Sequence, residues 1–360
     1  MARVLVACVD YPRDDNKALQ YVHVRNKEYI KQGITVDVLN FSQNQNYVFE
    51  GINVFCLEYV KENIEKYQNY ILICHAPNVR NHFLFIKKYG SFFIDIVFFF
   101  HGHEIVEQLK VYPAPYAFSK NSLLRRDALY LYDKLKISIW SKYFRKTDTK
   151  SKLIFVSDFL LKEFIENMKL EYENIEKRVA VINNSVGPIF QREMYDMSAT
   201  KCYDYITIRS NIDSSVYCID LLSQIAERNP EKKFLLIGKG KYFEYNKIPS
   251  NIKHINSTLK QEELIEYINA SKVALMPTRR DSQGVMSCEL ATFGIPLITS
   301  KLAVCEEMFS SFKNVVLLDE KQMVDNINIT FDIESLEKNE KFFVESTIDN
   351  EIKIINKIGF

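Results

Sequence analysis

The chain has almost no charge of one sign to spare: among its 360 residues, 47 Lys and Arg stand against 46 Asp and Glu, leaving a formal net charge of +1. No global field draws a polyanion, so bulk nucleic-acid binding is not expected. Long hydrophobic runs are also missing. The most apolar stretch, Phe92 to Phe100, has nine residues and contains Asp95, against the ~20 needed to cross a bilayer. The seven cysteines are scattered and never form Cys-x-x-Cys, which argues for reduced thiols rather than a disulfide framework. Met1-Ala2-Arg3 runs straight into an apolar strand without a cleavage-type site, so the expected compartment is the cytoplasm. No Gly-x-Gly-x-x-Gly follows the first strand, which excludes a nicotinamide or flavin Rossmann enzyme, and the P-loop pattern is absent too. A Gly-x-Ser-x-Gly elbow and an Asp-x-Asp pair are lacking, which counts against a hydrolase of that type and against a diphosphate held through a divalent ion. Glycine is scarce, at 10 residues, so each one present is informative.

Apolar residues are plentiful. A 47% hydrophobic content with 25 Phe and 21 Tyr can fill two cores, and the length allows two domains. Short apolar runs alternate with amphipathic stretches. Strands are predicted at 3–9, 35–40, 70–75, 94–100, 152–156 and 178–182, with helices over 18–31, 57–67, 79–89 and after Asp158. The pattern pauses at the polar, Pro188-containing stretch 183–200 and then restarts, with strands at 205–208, 233–237, 252–256, 272–276, 296–299 and 314–318. Helices are predicted over 214–228, 261–270 and 285–293, and a final amphipathic helix over 340–357. This is an α/β chain of two doubly wound parallel sheets. The predicted domains are 1–190, 200–335 and a C-terminal segment 336–360 that packs back on the first.

In such sheets ligands bind outside the carboxyl ends of the strands. The most informative loop there is Pro277-Thr-Arg-Arg-Asp281-Ser-Gln283-Gly284-Val285, which opens a helix carrying Glu289. Unpaired amides of Gln283, Gly284 and Val285 at that helix N-terminus would suit a phosphate. Glu289 can accept from a vicinal hydroxyl pair such as a ribose, and Asp281 from a second set of hydroxyls. The implied ligand is a nucleotide-linked sugar, with Gly238 and Gly240 giving close backbone approach. At another strand end, His101-Gly102-His103-Glu104 gathers three ionisable side chains beside a glycine. A zinc site with Cys74-His75 matches no strong ligand pattern, and no metal is expected.

The segment Asp281-Ser-Gln-Gly-Val-Met-Ser-Cys-Glu289, followed by Leu-Ala-Thr-Phe-Gly294-Ile-Pro296, resembles the Glu-x7-Glu segment of retaining glycosyltransferases of family 4. Val181-Ile-Asn-Asn184-Ser resembles that family's interdomain segment, and Arg209 its diphosphate-binding arginine. The resemblance implies a GT-B fold of two Rossmann-like domains facing across a cleft. It also implies retaining transfer of a hexosyl or N-acetylhexosaminyl group from a nucleoside-diphosphate sugar, UDP-linked by preference, to a glycan or lipid-linked glycan in bacterial surface polysaccharide synthesis. The sugar nucleotide is then substrate, and no cofactor is implied. Carried over, Glu289 binds the ribose, Asp281 the transferred sugar, and Gln283, Gly284 and Val285 the sugar and phosphates. Arg209 neutralises the diphosphate, and His101 orients or shares a proton at the reacting centre, with domain closure excluding water.

Two positions depart from the family pattern. Asp281 stands where Glu is usual, and Ser215 where a lysine usually completes the phosphate clamp, so Lys239 or Lys241 is the candidate replacement. These departures keep a second reading open, a non-catalytic GT-B-like accessory subunit, and a third, a sugar-nucleotide epimerase. The segment 123–152 holds nine Lys and Arg against three Asp, interleaved with Tyr130, Tyr132, Trp140, Tyr143 and Phe144. It reads either as a solvated helix with aromatics turned inward or as a patch for an anionic acceptor or for anionic membrane at the inner face of the plasma membrane.

Overall fold

The protein, seen in a computed structural model, is described over residues 2–13, 19–119, 123–146, 150–331 and 338–359. The expected helix start at Ala18, Asp148 of the cationic segment and the domain border at 335/336 lie outside these residues. The chain divides into two units, one of residues 1–108, 130–185 and 344–360 and one of residues 109–129 and 186–343.

The first unit is built on an eight-stranded sheet. Its strands are β1 (Arg3–Cys8), β2 (Thr35–Asn40), β3 (Tyr47–Phe49), β4 (Ile52–Cys56), β5 (Ile71–His75), β6 (Ile96–Phe100), β7 (Lys152–Phe155) and β8 (Val179–Val181), in the spatial order β3-β4-β2-β1-β5-β6-β7-β8. All neighbours run parallel except β3 and β4. The central strands are apolar at nearly every position and buried on both faces, as a parallel sheet requires. The β3–β4 hairpin was not anticipated. Its turn residues Glu50 (φ 45°) and Gly51 (φ 82°) are both left-handed, as a two-residue type I′ turn demands, but Glu-Gly is not the usual Asn-Gly signal.

The predicted helix 79–89 opens with a wide π-type turn, Val79–Phe83, before the α-helix Leu84–Tyr89. Helix Leu123–Phe144 turns Trp140 and Phe144 inward, where they pack on Phe98 at 5.7 and 5.1 Å between ring centroids. Its outward side exposes Tyr130, Leu131, Tyr132 and Leu135.

The expected C-terminal helix 340–357 is broken in two. Phe342, in a single 3-10 turn, stacks on Phe312 of the second unit, and the helix itself runs Ile348–Gly359. Ile348, Ile352 and Ile355 from that helix enter the core of the first unit beside Val4, Ile73 and Phe99. A buried ion pair fixes it there. Glu351 accepts from Arg25 Nε at 3.0 Å and from the Tyr29 hydroxyl at 2.7 Å, while Arg25 Nη2 donates to Asn184 Oδ1 at 2.9 Å.

The second unit carries β9 (Tyr203–Asn211), β10 (Phe234–Lys239), β11 (Ile252–Ile255), β12 (Ser271–Met276), β13 (Leu297–Ser300) and β14 (Val315–Leu318), all parallel, in the order β11-β10-β9-β12-β13-β14. Its core joins Ile219, Leu222 and Ile225 from helix Ile219–Arg228 to Leu236, Leu275 and Ile298 from the sheet. Residues 109–129 belong to this unit. Tyr116 anchors them: its hydroxyl accepts the Ile219 N–H at 3.0 Å and donates to Asp220 Oδ1 at 2.9 Å. Two short helices that the sequence did not disclose, Ala303–Phe309 and Glu320–Asp325, complete the layer.

Candidate active site

Strand β12 ends at Met276 and the chain turns through 277–284 into helix Val285–Phe293, whose residues Ser287 to Phe293 are all buried. Gly284 caps this helix at φ 76°. A side chain there would be strained by the backbone, and its Cβ would lie 3.1 Å from Asp281 Oδ2. Asp281 Oδ1 accepts the N–H groups of Ser282 (2.8 Å) and Gln283 (3.2 Å). This corrects the expectation that the Gln283 amide stands unpaired, because Asp281 already uses it to fold the loop. Gln283 itself is buried, and Val285 opens the helix as expected.

Glu289 lies in the first turns of that helix and is 6% exposed. One carboxylate oxygen, Oε1, accepts the Gly187 N–H at 3.1 Å and Gln261 Nε2 at 3.3 Å. No donor among the described residues bonds the other oxygen, Oε2. Burial, only partly offset by the Gly187 bond, pushes its pKa up to about 7.

Arg209, near the carboxyl end of β9, is buried with its charge. Nη2 donates to the Pro277 carbonyl at 2.5 Å, the guanidinium lies 5.0 Å over the Tyr217 ring, and Nε has no acceptor among the described residues. Burial lowers its pKa, and the nearby Asp281 carboxylate acts in the opposite direction. The loop after β9 and the end of β10 are stitched together, with Ile212 N–H donating to Lys239 O at 2.8 Å and Lys241 N–H to Asp213 Oδ1 at 2.7 Å. A Cβ on Gly238 would lie 2.4 Å from the Arg209 carbonyl, and one on Gly240 2.5 Å from the Ile212 side chain. These glycines therefore let two protein loops touch, which corrects their reading as space for a ligand. Lys239 and Lys241 are both exposed, and neither ammonium forms an ion pair among the described residues. The cation beside the buried Ser215 is Arg279, which donates to the Ser215 carbonyl at 3.1 Å. Its charge is taken by Asp220 at 2.9 Å and Glu320 at 2.8 Å.

The first unit presents a second cluster at the carboxyl ends of β5 and β6. His101 Nε2 lies 3.2 Å from His75 Nδ1, and its ring is 4.8 Å from that of Tyr21. Glu104 clamps the loop by accepting the N–H groups of His101 (3.1 Å) and Gly102 (2.5 Å). Lys136, counted in the sequence among the cations of 123–152, is buried. It pairs with Asp133 at 2.7 Å and donates to the carbonyls of His103 and Val106 at 2.9 and 2.8 Å. His103 is exposed. Among the described residues, no group of three or more His, Cys, Asp or Glu side chains is placed to hold a metal.

The predicted residues thus fall into three groups. Arg209, Asp281 and Gly238 lie together, Glu289 sits with two residues the sequence did not single out, and His101 belongs to the other unit. Gln261, the first residue of its helix, gave no signal of its role. Gly187 carried the only signal available, a glycine in a glycine-poor chain within the linker segment 183–200.

Residues 207–330 match the family model described as Glycosyl transferases group 1. Among solved structures, sucrose-phosphate synthase from Thermosynechococcus elongatus is 12% identical, with 99% of each chain covered and a TM-score of 0.70. A UDP-forming α,α-trehalose-phosphate synthase from Burkholderia vietnamiensis is 11% identical, covering 100% of this chain and 99% of that one at a TM-score of 0.63. WaaG, a glycosyltransferase involved in lipopolysaccharide biosynthesis, is 12% identical, covering 89% and 88% at a TM-score of 0.62. No curated protein sequence matches the chain. The fold is GT-B, two parallel-sheet α/β units, and the segment that matches the Glycosyl transferases group 1 model lies in the second of them.

Proposed function

We propose that the protein is a retaining glycosyltransferase that moves a hexosyl or N-acetylhexosaminyl group from a UDP-sugar to a glycan or lipid-linked glycan acceptor in bacterial surface polysaccharide synthesis. Glu289 carries this reading. It is a buried carboxylate with one oxygen fixed by two protein donors and the other without one among the described residues. Burying such a group is costly, and a vicinal hydroxyl pair of a ribose satisfies it. In strand β9 of the same unit, the buried Arg209 guanidinium keeps its Nε–H without an acceptor among the described residues, which suits a diphosphate.

In the reaction the bond from the sugar's anomeric carbon to the diphosphate breaks. A bond from that carbon to the acceptor oxygen forms on the same face, and the acceptor's proton passes to the departing diphosphate. Arg209 stabilises the charge that develops there, Asp281 and the amides around Gly284 and Val285 hold the sugar, and Lys239 or Lys241 adds exposed positive charge. His101 in the first unit orients the acceptor. The resemblance to UDP-forming and lipopolysaccharide-building enzymes supports the choice of donor and product. The basic helix Leu123–Phe144, with its exposed leucines, supports peripheral contact with anionic membrane at the cytoplasmic face.

Arg279 favours the competing reading of an accessory subunit, since the cation nearest Ser215 is spent on two carboxylates. Incubation with pooled sugar nucleotides and acceptors separates the two. The proposal expects transfer, or slow donor hydrolysis, that Glu289→Ala abolishes, whereas inactivity of both proteins in every pool favours the accessory role.

A further inference from the structure

We propose that Tyr217 is a positioning residue that holds the Arg209 guanidinium ready for the donor's diphosphate, and that Arg279 fastens the turn carrying Tyr217 and meets no phosphate itself. This rests on the reading of Arg209 as the diphosphate's partner.

Arg209 is held from two sides. Its Nη2 donates to the Pro277 carbonyl, and the guanidinium lies 5.0 Å over the half-buried Tyr217 ring. A ring face attracts a cation through its quadrupole and adds no opposing charge. A carboxylate in the same place would consume the charge that the diphosphate needs. With the ring there instead, Arg209 Nε still has no acceptor among the described residues. A buried N–H of that kind is costly to leave unpaired, and a phosphate oxygen satisfies it.

Tyr217 closes the 3-10 turn Ser215–Tyr217, and the chain leaves that turn through Cys218 at φ 56°, a left-handed conformation that a side chain disfavours. Such a conformation persists only where its surroundings over-determine it. The segment after β12 does so here. Thr278 N–H ties that segment to Ser300 Oγ at the end of β13 (2.8 Å), and the next residue reaches across to the turn. Arg279 N–H donates to the Val216 carbonyl at 2.9 Å, and Arg279 Nη1 to the Ser215 carbonyl at 3.1 Å. The remaining guanidinium N–H groups go to Asp220, in the helix that follows the turn, at 2.9 Å from both Nη1 and Nη2, and to Glu320 at 2.8 and 3.2 Å. All five N–H donors of the Arg279 side chain are thereby used. None is left for a phosphate. The short run 277–279 thus sets both the carbonyl that orients Arg209 and the ring that covers it.

The test reads the Arg209 Nε–H signal in 1H–15N spectra of the full chain, identified by its loss in Arg209→Ala, and then the binding of UDP and of uridine. The first reading needs no ligand. In Tyr217→Leu the Arg209 signal should move, and UDP should bind about 10-fold more weakly, while uridine, which lacks the diphosphate, binds as it does to the wild type. Tyr217→Phe keeps the ring and removes only a hydroxyl that has no partner among the described residues, so both readings should stay as in the wild type. Arg279→Lys should reproduce Tyr217→Leu, and the double variant should be no weaker than either one. An unmoved Arg209 signal in Tyr217→Leu, a loss of uridine binding equal to that of UDP, or a Tyr217→Phe protein as weak as Tyr217→Leu overturns the proposal. The reading beneath it fails by a different result, a wild type that binds no UDP or an Arg209→Ala protein that binds it undiminished, and the proposal falls with it.

Discussion

The backbone N–H of Gly187 donates to Glu289 Oε1 at 3.1 Å across 102 residues of sequence. That bond and the Gln261 amide hold the carboxylate in one orientation with Oε2 left over. Gly187 has an ordinary φ of −58°, so its need to be glycine is one of space: a Cβ would lie 2.4 Å from Gln261 Nε2. Gly187→Ala is therefore expected to push Gln261 away and cost about 1 kcal/mol, one hydrogen bond to a buried acceptor. Gln261→Ala should cost a similar amount, and the double variant little more than either one. Urea unfolding of the three proteins checks this, with additive losses counting against it.

Glu289 also sets a pH dependence. Its folded pKa, about 7, lies above the ordinary 4.5, so the folded protein holds a proton that the unfolded chain has released between these values. Stability from this group is full below pH 4.5 and falls as pH rises to 7, by on the order of 3 kcal/mol. Glu289→Gln, neutral throughout, lacks this loss. Denaturation of both proteins at pH 5 and pH 8 should show the variant gaining on the wild type at the higher pH. Parallel behaviour of the two would contradict the burial of the charge.

The Arg25–Glu351 pair ties the C-terminal helix into the first unit, with both side chains almost wholly buried. Removing one partner leaves the other charge uncompensated. Glu351→Ala is expected to cost roughly 3–5 kcal/mol, and the double replacement Arg25→Met with Glu351→Leu should recover most of it. Differential scanning calorimetry measures both. A mild effect of Glu351→Ala would show that Arg25 is satisfied by Asn184 and the Tyr21 carbonyl alone.

On helix Leu123–Phe144, Leu131 is 66% and Leu135 57% exposed, one turn apart, with Lys134 and Lys142 exposed on the same helix. Vesicles of anionic lipid should co-sediment the protein, and neutral vesicles should do so less. Leu131→Asp with Leu135→Asp should release it, as should replacing Arg125, Arg126, Lys142, Arg145 and Lys146 together, at ~1 kcal/mol per cation. Unchanged sedimentation of both variants would remove the membrane from the account.

The sequence disclosed the sheets best. Runs such as Ile-Leu-Ile-Cys-His and Ile-Val-Phe-Phe-Phe are short, apolar and β-branched or aromatic, a pattern that parallel strands share and helices do not. It disclosed helix Val285–Phe293 to the residue, because Gly284 and Gly294 bracket it in left-handed conformations. It hid whatever depends on distant pairing. Nothing near Glu289 announces Gly187 or Gln261, and nothing near Arg25 announces Glu351. Gly238 and Gly240 looked like room for a ligand, yet the room is filled by the neighbouring loop. The Gln283 amide looked open, yet Asp281 two residues earlier folds back to it.

The central claim, a nucleoside-diphosphate site in the second unit, is tested most directly by thermal unfolding with UDP, GDP, ADP, CMP or buffer alone, in the wild type, Glu289→Ala and Arg209→Ala. A nucleotide at 100 times its Kd adds about 2.7 kcal/mol, several degrees of Tm for a chain of this size. The account predicts a shift with UDP that disappears in Glu289→Ala and shrinks in Arg209→Ala. A wild-type Tm that no nucleotide moves, or a UDP shift that survives both substitutions, would contradict it.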